Sequence, residues 1–292
     1  MRQNQPEVLR NVTCCYCRTV LADVPSNKEH VIATNFVPKG TWDRSWNLIA
    51  RACVACNTRK SDLEDDMAVL SLQHYPFDGT DPAYDTHVRE RLEKASRTHS
   101  RHSKKAVSRS VEESTLEMPL GPAGVMTVGL ISAPQISVDR AFALANMHAT
   151  AFFYLLTYRD EGRRGSLWPG GGFFTTDVAA RSDWGNPIQR WFIDNAAPWL
   201  PRLVVSAAQG FFKVAIRKNP DVALWSCALE WNEGIRVVAF FGEKEPALAL
   251  GRDMPQLFTE EHVILRTPEK ITSYRTEVPI SSDDDRMFSF GD

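Results

Sequence analysis

The sequence predicts an α+β protein built in two parts, and three observations predict it. Five of the six cysteines fall within 43 of the 292 residues. A polar, basic stretch at 89–116 separates this cysteine-rich segment from the rest of the chain. Beyond it, one long helical apolar period is followed by four short β-branched and aromatic runs divided by turn residues. The length suits two domains at roughly 100–200 residues each. Composition sets the divisions at 1–88, a helix end and linker at 89–116, and 117–292. Apolar residues make up 43% and charged residues 24%, ordinary globular values that exclude wholesale disorder and a collagen-like chain.

The elements of the second part follow in order. Val125–Ile131 reads as a strand. Val138–Tyr158 reads as a long helix, because Phe142, Ala145, Ala149, Phe152 and Leu156 step by three and four. Gly170-Gly171-Gly172 is a loop; it lacks the Lys-Ser/Thr of a phosphate-binding loop. A second helix is expected over Pro187–Asn195. A meander follows, with strands at Leu203–Ala207, Phe211–Arg217, Ala223–Glu230 and Ile235–Phe241. Its turns are marked by Gln209-Gly210, Asn219-Pro220-Asp221 and Asn232-Glu233-Gly234. Together these describe an antiparallel sheet with a helix packed on it. The acidic tail Ser281–Asp292 reads as disordered, with partner binding or cover of a basic groove as the other readings.

Charge is uneven. The net value is −2, but residues 1–110 carry +4 and the remainder −6, which suggests two jobs. The basic stretch holds eight Lys/Arg, with Arg97, Arg101, Lys104 and Lys105 as candidate phosphate contacts that would bind without reading sequence. The first residues carry no apolar run typical of a secretory signal, and the most apolar window, Ala141–Tyr158, is interrupted by Asn146, His148 and Thr150. The expectation is a cytoplasmic protein that does not enter a membrane.

In a reducing compartment, clustered cysteines point to metal before disulfides. Cys14-Cys15-Tyr16-Cys17 and Cys53-Val-Ala-Cys56 each place two thiolates on one tight turn, and two such knuckles complete a four-cysteine structural Zn²⁺ site. The first knuckle admits Cys14 with Cys17 or Cys15 with Cys17; the CxxC spacing favours Cys14. Between the knuckles, Glu29-His30 sets a carboxylate beside an imidazole, and Asn57 follows the last cysteine. Carboxylate and amide oxygens suit Mg²⁺ or Mn²⁺, and a neutral imidazole can take a proton from water. One metal and one base suffice to hydrolyse a phosphodiester.

From Cys14 to Lys60 these residues resemble the HNH endonuclease family in its zinc-ribbon form: CxxC, an acid–His pair, Asn47-Leu48, then Cys53-x-x-Cys56-Asn57 with Lys60 three residues on. The resemblance covers about residues 10–75. It implies a ββα-metal fold, with the acid–His pair on a two-stranded hairpin and the last Asn on the following helix. It implies His30 as general base, Glu29 and Asn57 as ligands of the catalytic metal, and Asn47 as the brace of the loop that orients His30. Arg59 and Lys60 would meet the DNA backbone. Three departures stand out: Glu29 where Asp is common, Ala33 where Pro often stands, and Asn57 where His also occurs. The implied activity is metal-dependent cleavage of DNA, controlled by a C-terminal domain acting as sensor of an unidentified ligand, target reader or homodimerisation unit, in the manner of bacterial or phage defence effectors. The alternative is a zinc ribbon that binds DNA or regulates without cutting.

Overall fold

The computed structural model describes residues 5–42, 45–76, 82–96, 104, 106, 113–119, 125–131, 137–266 and 271–289. The chain begins with β1 (Glu7–Val8), which pairs in parallel with β3 (Leu48–Cys53); β3 in turn pairs antiparallel with β2 (Ser26–His30). Helix α1 (Val54–Gln73) starts directly after Cys53, and α2 (Pro82–Ser96) follows it. Strands β4 (Glu113–Pro119) and β5 (Val125–Ile131) form a separate antiparallel pair.

Helix α3 (Val138–Leu156) is the centre of the molecule. Ala141, Leu144, Ala145, His148, Ala149, Ala151, Phe152 and Tyr154 are all essentially inaccessible. The sequence reading assigned one apolar face, yet over 144–154 the helix is buried nearly all round. Such a helix must be covered on opposite sides. It packs on α1 on one side, and on the other it lies against a five-stranded sheet.

That sheet has the order β6-β10-β9-β8-β7, every neighbour antiparallel. Its strands are β6 (Gly172–Ala180), β7 (Leu200–Ala207), β8 (Phe212–Lys218), β9 (Leu224–Trp231) and β10 (Ile235–Gly242), with α4 (Pro187–Ala196) inserted after β6. The four expected meander strands and both helices stand within a few residues of their predicted bounds. The edge strand β6 was not foreseen. It carries Asp177 in mid-strand, a residue type depleted from strands. The cost is met from α4 and its cap: Asn186 Nδ2 and Gln189 Nε2 each donate to Asp177 Oδ2 at 2.9 Å. Asn186 also caps α4 through Gln189 N. The chain continues through α5 (Lys244–Gly251) and the short pair β11 (Val263–Arg266) and β12 (Ile271–Ser273).

The core does not stop at the expected division of the chain. One continuous buried cluster runs from Leu9 through Trp46 and Met67 to Phe152, Trp231 and Phe241. The β9–β10 turn shows how closely the parts meet. Asn232 and Glu233 take positive φ (53° and 54°), the geometry of a tight hairpin turn. Asn232 Nδ2 then donates to Phe36 O (3.0 Å) and Ser71 Oγ (2.8 Å). A Cβ on Gly234 would lie 1.9 Å from Ser71 O, so only glycine fits there.

The acidic tail corrects the expectation of disorder. Through Ser289 it lies on the outer face of the sheet, where Met287 is 4% exposed beside Phe192, Ala215 and Phe240. Asp285 Oδ2 sits 2.7 Å from the fully buried guanidinium of Arg236, which also holds Glu230 at 2.8 Å. An unpaired buried charge is costly, and this pairing gives the tail a reason to stay. Deleting 281–292 is therefore expected to lower the unfolding free energy by at least about 2 kcal/mol, the loss of one core methionine alone. Urea unfolding measures it; a change within about 0.5 kcal/mol, as for a surface edit, would mean the tail does not hold this place. Among the described residues no helix is long and apolar enough to cross a membrane.

Candidate functional site

Two neighbouring constellations occupy the β2–β3–α1 unit. The first is the cysteine cluster. The Sγ atoms of Cys14, Cys17, Cys53 and Cys56 lie within 4.8 Å of one another, and Cys17 Sγ is 3.7 Å from Cys53 Sγ. A tetrahedron with Zn–S bonds of about 2.3 Å has edges of about 3.8 Å, so the four sulfurs are gathered closely enough to surround one such ion. Backbone N–H groups of Tyr16 and Cys53 point at Cys14 Sγ, each at 3.4 Å, the kind of outer support that orients a thiolate ligand. The neighbouring Cys15 thiol pulls the Cys14 thiol down to about 4, toward the ligating form. Burial drives Cys15 the other way, well above its usual range. The geometry thus selects Cys14 over Cys15, and the cluster could hold a structural metal such as zinc.

The second constellation is a buried charge network. Strand alternation turns Glu29 inward (3% exposed) and leaves His30 half-buried on the other side. Tyr16 Oη donates to Glu29 Oε1 at 2.9 Å. Lys60 Nζ, 2% exposed, sits 2.7 Å from the same oxygen and 2.8 Å from Glu64 Oε2, and donates to His30 O at 3.1 Å. Glu64 Oε1 accepts from Ala33 N at 3.2 Å and stands 3.7 Å from His148 Nε2. Aromatic rings surround His148: Phe212 at 5.3 Å, Trp231 at 5.8 Å, Phe36 at 6.1 Å and Phe152 at 6.3 Å between centroids.

The electrostatics follow from these contacts. Burial raises the Glu29 carboxyl above its ordinary value, against the pull of Lys60 and Tyr16. Burial acts on Glu64 in the same direction, but Lys60 and His148 overcome it and hold that carboxyl low. Lys60 stays charged because its two carboxylates outweigh its own burial. His148 is pushed below its usual value by burial, with Glu64 opposing. His30 is lowered by burial, then by Lys28 and Lys60, which keeps its imidazole neutral near pH 7.

The predicted site residues divide accordingly. Strand β2 carries Glu29 and His30, and α1 carries Asn57, which is partly exposed in its first turn, and Arg59, which is exposed. Asn47 is buried and braces the turn after His30, donating to Ile32 O (2.8 Å) and accepting from Ile32 N (3.3 Å). Lys60 is a correction: it faces the core and not DNA. Its place on the stripe Lys60, Leu63, Glu64, Met67 commits it inward with its (i, i+4) partner. Glu29 is buried rather than open to a metal, and its Oε1 already serves Tyr16 and Lys60. Of the basic stretch, Lys104 is exposed, while Arg97, Arg101 and Lys105 lie outside the described residues.

Tyr16, Glu64 and His148 were missed. The signal was present for Glu64, four residues after Lys60 on an apolar stripe. For His148 only the interrupted apolar window hinted at burial. Compared with models of known protein families, with curated proteins and with solved structures, the chain matches none.

Proposed function

We propose that this chain is an endonuclease of the HNH type acting on DNA, with His30 as the general base. The observation that carries the reading is the setting of His30. It closes β2 on the half-open side of the hairpin, its carbonyl oxygen is held by Lys60 Nζ, and Asn47 locks the turn that follows. Its neutral imidazole can take one proton from water; the hydroxide so formed attacks phosphorus, and the bond to the leaving 3′ oxygen breaks. Arg59, one turn into α1, is exposed, and in this reading it would meet a phosphate.

The pair expected to hold Mg²⁺ or Mn²⁺ fits less well. Asn57 is partly exposed, but Glu29 is inaccessible and already ion-paired. This same observation favours a second reading, a zinc ribbon that binds nucleic acid without cutting it.

Cleavage of supercoiled plasmid separates the two. The nuclease reading expects cutting that falls roughly 10²- to 10⁴-fold in His30→Ala at equal zinc content. Equal cutting by wild type and variant would end the assignment of His30. DNA binding that is indifferent to Mg²⁺, with no cutting by the wild type, would select the binder.

A further inference from the structure

One carboxylate grips the turn after His30 at both ends. Strand β2 stops at His30. In the turn itself, Val31 N donates to Leu48 O at 2.9 Å, and Asn47 serves both backbone groups of Ile32. The two ends fall to α1. Glu64 Oε1 accepts from Ala33 N at 3.2 Å. Glu64 Oε2 accepts from Lys60 Nζ at 2.8 Å, and the same ammonium donates to His30 O at 3.1 Å.

Charge balance alone does not call for Glu64. Lys60 already has a counter-ion in Glu29 at 2.7 Å. A second carboxylate, 4% exposed, leaves the buried group with negative charge in excess, and burying a charge is costly. What Glu64 adds is reach. It lies one turn beyond Lys60 on the same stripe of α1, within hydrogen-bond distance of Ala33 N. Helix α3 closes the far side, where His148 Nε2 stands 3.7 Å from Oε1. With water kept out, the bonds to Lys60 and Ala33 gain strength from the low dielectric. The aim of a side chain follows from the backbone that carries it. We propose that Glu64 is a positioning residue for His30, its two oxygens bracing His30–Ala33 from α1 and so fixing where the imidazole points. What the brace serves rests on the nuclease reading above; that Glu64 forms it does not.

The test compares wild type with Glu64→Leu and Glu64→Gln, as full chains at equal zinc content, by amide exchange in NMR and by plasmid cutting. Glu64→Leu keeps most of the volume and leaves Lys60 paired with Glu29. Its Ala33 amide should exchange roughly 10- to 150-fold faster, the worth of one hydrogen bond to a charged group. The Val31 amide, bonded to Leu48 O, should not change. Glu64→Gln has one acceptor oxygen for two donors; the ammonium takes it, so Ala33 exchanges faster there too. The turnover number kcat should fall roughly 10²-fold in Glu64→Leu, as for a group displaced by about 1 Å, and less in Glu64→Gln, with KM for DNA unchanged. Ala33 exchange at the wild-type rate in both variants would overturn the proposal. So would Ala33 and Val31 losing protection together, which is general loosening, and so would a raised KM at constant kcat or an unchanged kcat. Should Glu64→Leu not fold, Glu64→Gln decides by the same comparisons. A wild type that does not cut, with Ala33 alone losing protection in the variants, would end the nuclease reading and leave the brace standing.

Discussion

Stripping the metal, or replacing any one of Cys14, Cys17, Cys53 and Cys56 by Ser, is expected to unfold the N-terminal unit. Structural zinc in small domains contributes roughly 10–16 kcal/mol of apparent free energy, comparable with the roughly 5–15 kcal/mol that stabilises a whole domain. The cluster joins three stretches of chain: the first knuckle, the end of β3 and the first turn of α1. Without it the start of α1 loses its anchor, and Lys60 leaves its carboxylates. The effect should spread, because Phe36 and Ser71 in this unit hold Asn232 in the β9–β10 turn. Metal analysis of the purified chain should give about one zinc per molecule. Chelation should abolish the near-ultraviolet signal of Trp46, a fully buried residue. Cys15→Ser should keep the zinc and Cys14→Ser should lose it; the reverse result would exchange the ligands of the first knuckle.

The second large effect is at Lys60. Lys60→Ala leaves two buried carboxylates, Glu29 and Glu64, without their shared counter-ion. Breaking a buried pair by removing one partner costs about 3–5 kcal/mol, a fall in midpoint of roughly 10 °C for a chain of this size. With the ammonium gone, burial is expected to push both carboxyls up from their unfolded values. The penalty is therefore fully present at pH 7 and shrinks as pH falls and the acids take up protons. Adding Glu29→Gln and Glu64→Gln should recover much of the loss. Denaturant unfolding at pH 7 and pH 4.5 checks both sign and size. A cost within about 0.5 kcal/mol, independent of pH, would mean that Lys60 is a surface residue and free for DNA.

Much of the fold was legible because its signals are local. The α3 period, the four meander strands and the Asn232-Glu233-Gly234 turn each depend on residues close in sequence, and each stands where expected. The paired knuckles were legible for the same reason: a CxxC turn fixes two sulfurs by itself. Strand β6 was not, because Asp177 is tolerable in a strand only once Asn186 and Gln189 supply its donors. The tail was not, because Asp285 has no reason to stay until Arg236 is buried beneath it.

By itself, then, the sequence determined the α+β class, the antiparallel meander and the residues able to gather a metal, since periodicity, turn chemistry and knuckle spacing act over a few residues. Only the tertiary structure decided which groups are open to chemistry. Lys60 and Glu29 belong to a motif that reads as exposed and catalytic. Bringing α3 against α1 sets His148 beside Glu64 and closes the core over the network, and in that low-dielectric setting two carboxylates and one ammonium are held together rather than offered to solvent. Whether a charged side chain faces water or its counter-ion depends on what packs over it, and here the covering helix comes from 78 residues or more along the chain, from Val138 onward.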